Sequence, residues 1–379
     1  MNINRIGTFL FVCLPLGCLF LMGIFLDSHS TESKRERRIL TEWPANFWVN
    51  LNGVESYISD HIKGREKILD FYFQSGLSLN FGNDTTLIGK EGWLFRNSFG
   101  NRENIHNIHS YQNKVDFSKS EFETIFKNIS DLQKWCDDNN IKLYVMFPPD
   151  KHRVYARYMP SYIIRRNQKS LAKRVAEILP KNVKFIPLED RLTQLSYTAP
   201  EPVYYKQESH WSEYGAYQSY LWLMEEVKKD FKDVLIATPN DFTVTKTNRV
   251  WTPYYWNGLM MDGNLWISGL KGYEDKIYTR YEIPKNSGIK FKKNKSWRTS
   301  VNPNKKYNAY LIGDSYATYS FYFLAAGFNN VIFYRFNEGG ETDWGMHWSE
   351  RRKEMLENKT DILVLSVSDL KLKDLFEAF

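Results

Sequence analysis

One serine of this chain lies in a setting that suits a nucleophile. The segment NAYLIGDSYATYSFYFLAAGF at 308–328 predicts an apolar strand that runs into Gly313-Asp314-Ser315 and then into a helix. Such a turn places the Ser315 hydroxyl at the carboxyl end of a sheet, where α/β proteins bind ligands. The start of the helix offers main-chain N–H donors to a developing oxyanion. A Gly-Asp-Ser tripeptide alone fits an ordinary helix cap equally well.

A nucleophilic serine needs a base, and the base needs an acid to orient it. The segment YYKQESHWSEYGAYQSY at 204–220 contains Glu208 and His210, which an extended chain directs to the same side. Of the seven histidines, only His210 has both an acid at this spacing and an aromatic neighbour, Trp211. The plain alternative is a histidine at a helix start with a local hydrogen bond. Together the two segments predict a catalytic triad of Ser315, His210 and Glu208.

Other residues at strand ends are candidates for substrate contact. Lys151 follows a predicted strand, and Tyr334 and Arg335 end the strand after the helix that follows Ser315. For Lys151 a solvated loop charge is the plain alternative. All three residues are therefore hypothetical substrate-binding residues.

The region 240–306 interrupts the regular pattern and is interpreted as an insertion near the site. It contains the cluster WTPYYW, in which Trp251 and Trp256 suit either a stacking platform for sugars or core packing. It also contains a basic stretch at 284–306 with eight Lys and Arg and no acid. That stretch fits an anionic glycan, a membrane surface or a solvated loop.

The elements that must position these residues alternate between strands and helices. This alternation of apolar strands with helices indicates an α/β fold, a three-layer α/β/α domain with a mostly parallel sheet over 86–379. LIGKEGWLFR at 87–96 predicts a hairpin. The predicted strands are 142–147, 183–188, 308–312, 331–336 and 361–367, and the predicted helices are 120–139, 168–179, 211–230, 317–326 and 348–357.

The N-terminus predicts a membrane anchor. Residues 9–26 read FLFVCLPLGCLFLMGIFL, an uncharged run that approaches the thickness of a bilayer core. No small-residue cleavage site follows, so residues 1–27 are interpreted as an uncleaved transmembrane signal anchor. The Lys and Arg residues that follow favour a cytoplasmic C-terminus by simple counting. Residues 28–85 are expected to form a linker and an N-terminal helical segment, helical over 46–75.

Composition narrows the function classes only slightly. The 379 residues carry a net charge of +7, with 42% hydrophobic and 25% charged residues, which is typical of a globular protein. A mildly basic chain permits an anionic partner. Because no zinc-ligand spacing and no nucleic-acid motif is present, neither a metal nor a nucleic acid is expected. Cys13, Cys18 and Cys136 do not make a disulfide framework.

The chain resembles the periplasmic alginate O-acetyltransferases of the AlgJ/AlgX type and the related DHHW-motif proteins, which have an SGNH-hydrolase-like domain. In that family the acid and the histidine precede the serine, as here, but members have Asp-x-His-Trp where this chain has Glu208 in the first position. The resembling segments are ISDHIKGREKI at 58–68, LIGKEGWLF at 87–95, VMFPPDKHRVYARYMP at 145–160, ESHW at 208–211 and IGDSY at 312–316.

The resemblance implies acetyl transfer through Ser315 to hydroxyls of an exopolysaccharide, alginate-like or another glycan, without a cofactor. It further implies a bacterial inner-membrane protein with a single span and a periplasmic catalytic domain. A multi-pass membrane-bound O-acyltransferase is then the expected partner and acetyl source. Two alternatives stay open from the residues: a carbohydrate acetylesterase with the same triad, and a non-catalytic glycan-binding or assembly protein.

Overall fold

The chain divides into two compact units, Met1–Gly82 with Thr252–Leu270, and Asn83–Trp251 with Lys271–Phe379. The predicted anchor at 9–26 lies outside the described residues except for its last two positions. No helix among the described residues is long and apolar enough to cross a membrane. The computed structural model describes residues 25–27, 29–33, 38–46, 49–65, 67–68, 71, 86–96, 107–166, 168–206, 208–247, 277–293, 297–335 and 348–372.

A capped helix lies among the described residues of the first unit. The Asn50 side chain accepts the Gly53 N–H at 2.9 Å, which satisfies a donor of the first turn. The helix ends before Ile62, and Gly64 follows with φ 76°, so the predicted helical segment over 46–75 is interrupted after His61. Gly64 supplies the left-handed conformation that breaks it. The named elements are β1 (Glu32–Ser33), β2 (Arg38–Ile39) and α1 (Leu51–His61).

The second unit contains the other described strands and helices. Its strands are β3 (Thr86–Ile88), β4 (Leu94–Arg96), β5 (Lys142–Met146), β6 (Lys184–Ile186), β7 (Thr243–Thr247), β8 (Tyr278–Glu282), β9 (Lys290–Lys293), β10 (Trp297–Val301), β11 (Ala309–Gly313), β12 (Asn330–Arg335) and β13 (Ile362–Ser366). Its helices are α2 (Asn107–Tyr111), α3 (Lys119–Asp138), α4 (Lys151–Val154), α5 (Leu171–Ile178), α6 (Leu188–Thr198), α7 (Glu213–Asp230), α8 (Ala317–Gly327) and α9 (Trp348–Glu357).

Seven strands form the central sheet in the order β6-β5-β13-β11-β12-β10-β9. The first five are parallel, whereas β10 pairs antiparallel with β12, and β9 antiparallel with β10. The expected mostly parallel sheet is therefore a mixed one. The physical reason for β9 is that so few residues separate it from β10 along the chain that the two strands can pair only antiparallel.

Part of the basic stretch at 284–306 forms β9 and β10, at one side of the sheet. Lys290, Lys292 and Lys293 are exposed on β9, the last strand of the sheet. Lysines on an edge strand discourage pairing with another chain. Within 240–306 the structure also shows the antiparallel pair β7 and β8, which flanks residues outside the described ranges.

Helices cover both faces of the sheet, because alternate strand residues enter two different cores. On β5, Tyr144 and Met146 face the core that contains α7 and α8, whereas Leu143 and Val145 face the core that contains α3, α5 and α9. The side-chain period of two in a strand produces this division. The expected three-layer arrangement is the one observed.

Side-chain caps mark the start of several of the described helices. At the start of α3, Glu121 N–H donates to Ser118 Oγ at 3.2 Å and Ser118 N–H donates to Glu121 Oε2 at 2.7 Å, which is a capping box. The helix α6 was not predicted. Its apolar residues Leu188, Leu192 and Leu195 have helical spacing, but they directly follow a short apolar strand that masked the change of period.

Candidate active site

Three side chains form a continuous hydrogen-bonded chain at the carboxyl end of the parallel strands. Ser315 Oγ lies 2.7 Å from His210 Nε2, and His210 Nδ1 lies 2.6 Å from Glu208 Oε1. The tautomer that donates Nδ1–H to Glu208 leaves Nε2 to accept the Ser315 hydroxyl proton. The structure thus brings together all three residues predicted as a triad, in the order nucleophile, base and acid.

Close packing of main chain positions Ser315. Ser315 lies in the turn between β11 and α8. A Cβ on Gly313 would lie 2.4 Å from the Ala317 Cβ and 2.5 Å from the Ser366 carbonyl oxygen. Only glycine therefore lets β11, β13 and the start of α8 approach this closely.

Asp314 holds the same turn and takes no part in the triad. Its Oδ1 accepts the Tyr316 N–H at 3.0 Å, and its Oδ2 accepts the Ser368 N–H at 2.9 Å. These bonds connect the nucleophile turn to the segment after β13. Within the described part of the chain, the Ser315 N–H has no acceptor. That donor, at the start of α8, is available to an oxyanion formed at Ser315.

The acid and the base lie at the tip of a folded-back segment, residues 203–212, called here the acid–base segment. Ser212 N–H donates to the Val203 carbonyl at 2.9 Å, and Tyr205 N–H donates to the His210 carbonyl at 3.3 Å. Both oxygens of the Glu208 carboxylate contact His210. Oε2 accepts the His210 main-chain N–H at 2.8 Å, and Oε1 lies beside Nδ1 of the ring. The longer glutamate side chain therefore reaches the His210 ring from two residues away.

Aromatic side chains connect the acid–base segment to the nucleophile turn. Trp211 is fully buried, and its Nε1 donates to the Tyr316 carbonyl at 3.1 Å. In return, the Tyr316 hydroxyl donates to the Ser209 carbonyl at 3.1 Å, and its ring lies 4.9 Å from the His210 ring. The sequence reasoning missed Tyr316, for which position next to Ser315 was the sole signal.

The electrostatics of the acid and the base favour an ion pair. Burial alone would lower the pKa of His210, but the charge and hydrogen bond of Glu208 raise it above its ordinary value, with help from Asp314. Burial alone would raise the pKa of Glu208, but His210 holds it below its ordinary value. This arrangement therefore favours the imidazolium form of His210.

The structure does not support Lys151 as a substrate contact or as a solvated loop charge. The residue is 1% exposed, and its Nζ donates to the carbonyls of Tyr205, Lys206 and Glu208 at 3.1, 3.2 and 2.7 Å. These acceptors use all three N–H donors of the ammonium. Nothing in the local sequence distinguishes this lysine from an exposed one.

The remaining substrate candidates separate into near and far residues. Arg335 is the register partner of Gly313, and its charge acts to lower the pKa of His210, so it lies beside the site. Tyr334 points away from it, because its ring packs 4.6 Å from the Arg351 guanidinium of α9. Trp251 and Trp256 lie outside the described residues.

Strand β8 holds both ends of the acid–base segment, a support that sequence reasoning missed. Glu213, just after the segment, accepts the Arg280 Nε–H at 3.2 Å and the Tyr281 N–H at 2.7 Å. Near the other end, Lys206 N–H donates to the Tyr278 hydroxyl at 2.8 Å. Across the ranges that the structure describes, no cluster of three or more His, Cys, Asp or Glu could hold a metal ion.

The chain has relatives among solved structures. Bacillus cereus PatB1 has a TM-score of 0.51 at 17% identity, covering 76% of this chain and 97% of PatB1. PatB1 with a sulfonyl adduct has a TM-score of 0.52 at 16% identity, and the match covers 77% of this chain and 99% of that structure. The O-acetyltransferase domain of Pseudomonas putida AlgJ has a TM-score of 0.46 at 15% identity, and the match covers 76% of this chain and 92% of that domain. The two PatB1 structures share the fold of this chain.

A family model identifies the domain more directly. A comparison with curated proteins gave no match. The model described as "SGNH hydrolase-like domain, acetyltransferase AlgX" matches residues 86–365, which is well over half of the chain. This match confirms the resemblance noted in the sequence. The chain belongs to the family of AlgX-type, SGNH hydrolase-like acetyltransferase domains.

Proposed function

We propose that this protein is a polysaccharide O-acetyltransferase that carries an acetyl group on Ser315 and transfers it to a glycan hydroxyl. The observation that supports this most is the hydrogen-bonded chain of Glu208, His210 and Ser315. Membership of an acetyltransferase family supports acetyl as the acyl group. Alginate or a similar exopolysaccharide is the acceptor that we propose.

In the proposed mechanism, His210 Nε2 takes the hydroxyl proton as Ser315 Oγ attacks the carbonyl carbon of the acetyl donor. The Ser315 N–H stabilises the oxyanion, and collapse expels the donor's leaving group, which receives the proton from His210. A glycan hydroxyl then gives its proton to His210 and attacks the acetyl-serine. The product ester leaves, and Ser315 recovers its proton. Glu208 stays ionised throughout and stabilises the imidazolium.

Transfer and hydrolysis differ only in the second acceptor, so they can be separated by competition. The detergent-solubilised protein is supplied with 4-nitrophenyl acetate and increasing amounts of alginate oligosaccharides. We expect acetylated oligosaccharide to appear by mass spectrometry while release of free acetate falls. Acetate release that no oligosaccharide reduces would support a carbohydrate acetylesterase. Absence of any acetyl-serine would support a non-catalytic glycan-binding or assembly role.

We further propose that the catalytic domain lies in the periplasm of a bacterium, attached to the inner membrane through residues 9–26. The uncharged run supports a single span. A multi-pass membrane-bound O-acyltransferase is the proposed acetyl source. Arg335, which lies beside the site, is proposed to contact an anionic glycan, and Trp251 and Trp256 are proposed as a platform for its sugar rings.

The proposed location predicts the behaviour of a reporter fused after Phe379. Alkaline phosphatase at this point should be active in intact cells, because it folds only in the oxidising periplasm. Deletion of residues 9–26 is the matched control and should abolish that activity. A cytoplasmic reporter such as β-galactosidase that is active on the full chain would contradict both the location and the partner.

A further inference from the structure

Lys151 is a buried ammonium group at the start of α4 that the triad itself does not employ. Its three hydrogen bonds converge on the main chain of the acid–base segment, at the carbonyls of Tyr205, Lys206 and Glu208. The shortest, 2.7 Å, is to the carbonyl of the triad acid. A single cation thus organises the turn from which the Glu208 side chain projects.

The β3–β4 hairpin closes the other side of this lysine. The rings of Trp93 and Phe95 lie 5.9 and 5.3 Å from Lys151 Nζ. The Leu94 N–H donates to the Lys206 carbonyl at 3.1 Å, so the hairpin and the lysine share an acceptor. Buried in this way, the ammonium interacts more strongly with its partners than it would in water.

The charge of the lysine also acts on the acid. Burial lowers the pKa of Lys151 to about 7, although the carboxylates of Glu208 and Asp150 act to raise it. The three carbonyl acceptors favour the ammonium form, which alone has three N–H donors. Lys151 in turn contributes to holding the pKa of Glu208 below its ordinary value. Both the position and the ionisation of the acid therefore depend on one buried cation.

We propose that Lys151 is the positioning residue for the triad acid, which it holds at the correct place relative to His210. This proposal rests on the proposed function, because the position of Glu208 matters only if it orients a catalytic base. A lysine that merely stabilised the fold would affect reactivity equally whether or not Glu208 could serve His210.

A double-mutant cycle between Lys151 and Glu208 tests the proposal. The full chain in detergent is treated with phenylmethylsulfonyl fluoride, and the rate of Ser315 modification is followed by intact mass. Lys151→Met keeps the apolar stem and removes the donors, and we expect it to slow the reaction about 100-fold, the scale of a small misplacement. In a Glu208→Gln background the same change should cost less than about fivefold, because residues that act as a unit are not additive.

Arg153→Met is the matched control. Arg153 is a buried cation on the same short helix, but its partners lie elsewhere, on Asp369, Asn113 and Ser110. Any cost of this variant should be the same in both backgrounds. If Lys151→Met does not fold, Lys151→Arg replaces it, because a planar guanidinium cannot direct donors to three carbonyls around one point. Lys151→Arg should likewise slow the reaction in the wild-type background and cost much less in the Glu208→Gln background.

The outcomes separate this proposal from the proposed function. An equal cost of the lysine variant in both backgrounds, or no cost in either, would overturn the positioning role. A wild-type protein whose Ser315 is never modified would instead remove the catalytic function on which the proposal rests.

Discussion

Replacing Ser315 with alanine should abolish the covalent acetyl adduct that the wild-type chain forms with an activated acetyl ester. The loss should be about six powers of ten in acylation rate, the scale for removal of a nucleophile from a triad. The fold should survive, because Ser315 is only half-buried and Gly313 and Asp314 hold the turn. Intact-mass measurement of the adduct, with peptide mapping to 312–316, checks the result.

Ser320→Ala is the matched control for this variant. Ser320 lies on the same helix α8, is fully buried, and its Oγ has no hydrogen-bond partner within the described residues. Its removal should leave the adduct yield unchanged. An adduct of equal yield on Ser315→Ala would show that another residue is the nucleophile.

Replacing Glu208 with glutamine should lower the acylation rate by about two to four powers of ten, the scale on which a triad acid acts through its charge. Glutamine keeps the size of the side chain but cannot stabilise the imidazolium of His210. Glu208→Asp keeps the charge, and the family has aspartate here, so it should retain more activity than Glu208→Gln. Single-turnover rates with 4-nitrophenyl acetate measure all three proteins.

The pH dependence of Glu208→Gln provides a second measurement with a defined sign. His210 acts as a base only when neutral, so the acylation rate rises as the pH passes upward through the pKa of His210. Because Glu208 raises this pKa in the wild type, its neutralisation should move the acid limb of the profile to lower pH. The stability that the raised pKa contributes is present at low pH and is lost as the pH rises through it.

His210→Ala should be at least as damaging as Glu208→Gln, and the double variant should be little worse than His210→Ala alone. A rate that Glu208→Gln leaves unchanged would contradict the triad and leave a dyad of Ser315 and His210. Additive losses would show that the acid and the base act on separate steps.

Much of the α/β framework was predictable because its signals are local. The strand β11 and the helix α8 were predicted within two residues, since an apolar run, a Gly-Asp-Ser turn and a helical period follow one another directly. The capping box at Ser118 and Glu121 likewise depends on residues three apart. Short-range sterics and hydrogen bonding determine such elements without reference to the rest of the chain.

The mixed sheet and the helix α6 were not predicted, for a different reason. The edge strand β9 is rich in lysine and was not recognised as a strand, because an exposed edge does not need an apolar pattern. At α6, the change from a strand period to a helix period occurs within a few residues. In both places the local sequence pattern is too weak to identify the element, which forms through its contacts with neighbouring elements.

The sequence by itself determined which side chains could do the chemistry: a serine after a strand, and an acid and a histidine two residues apart. Only the tertiary structure decided that they meet, because Ser315 and His210 are separated by 105 residues and come together through packing of β11 and α8 against the acid–base segment. It also decided the place of Lys151, whose burial depends on a hairpin distant in sequence. Burial and contact are properties of the whole fold, and no local pattern of residue types encodes them.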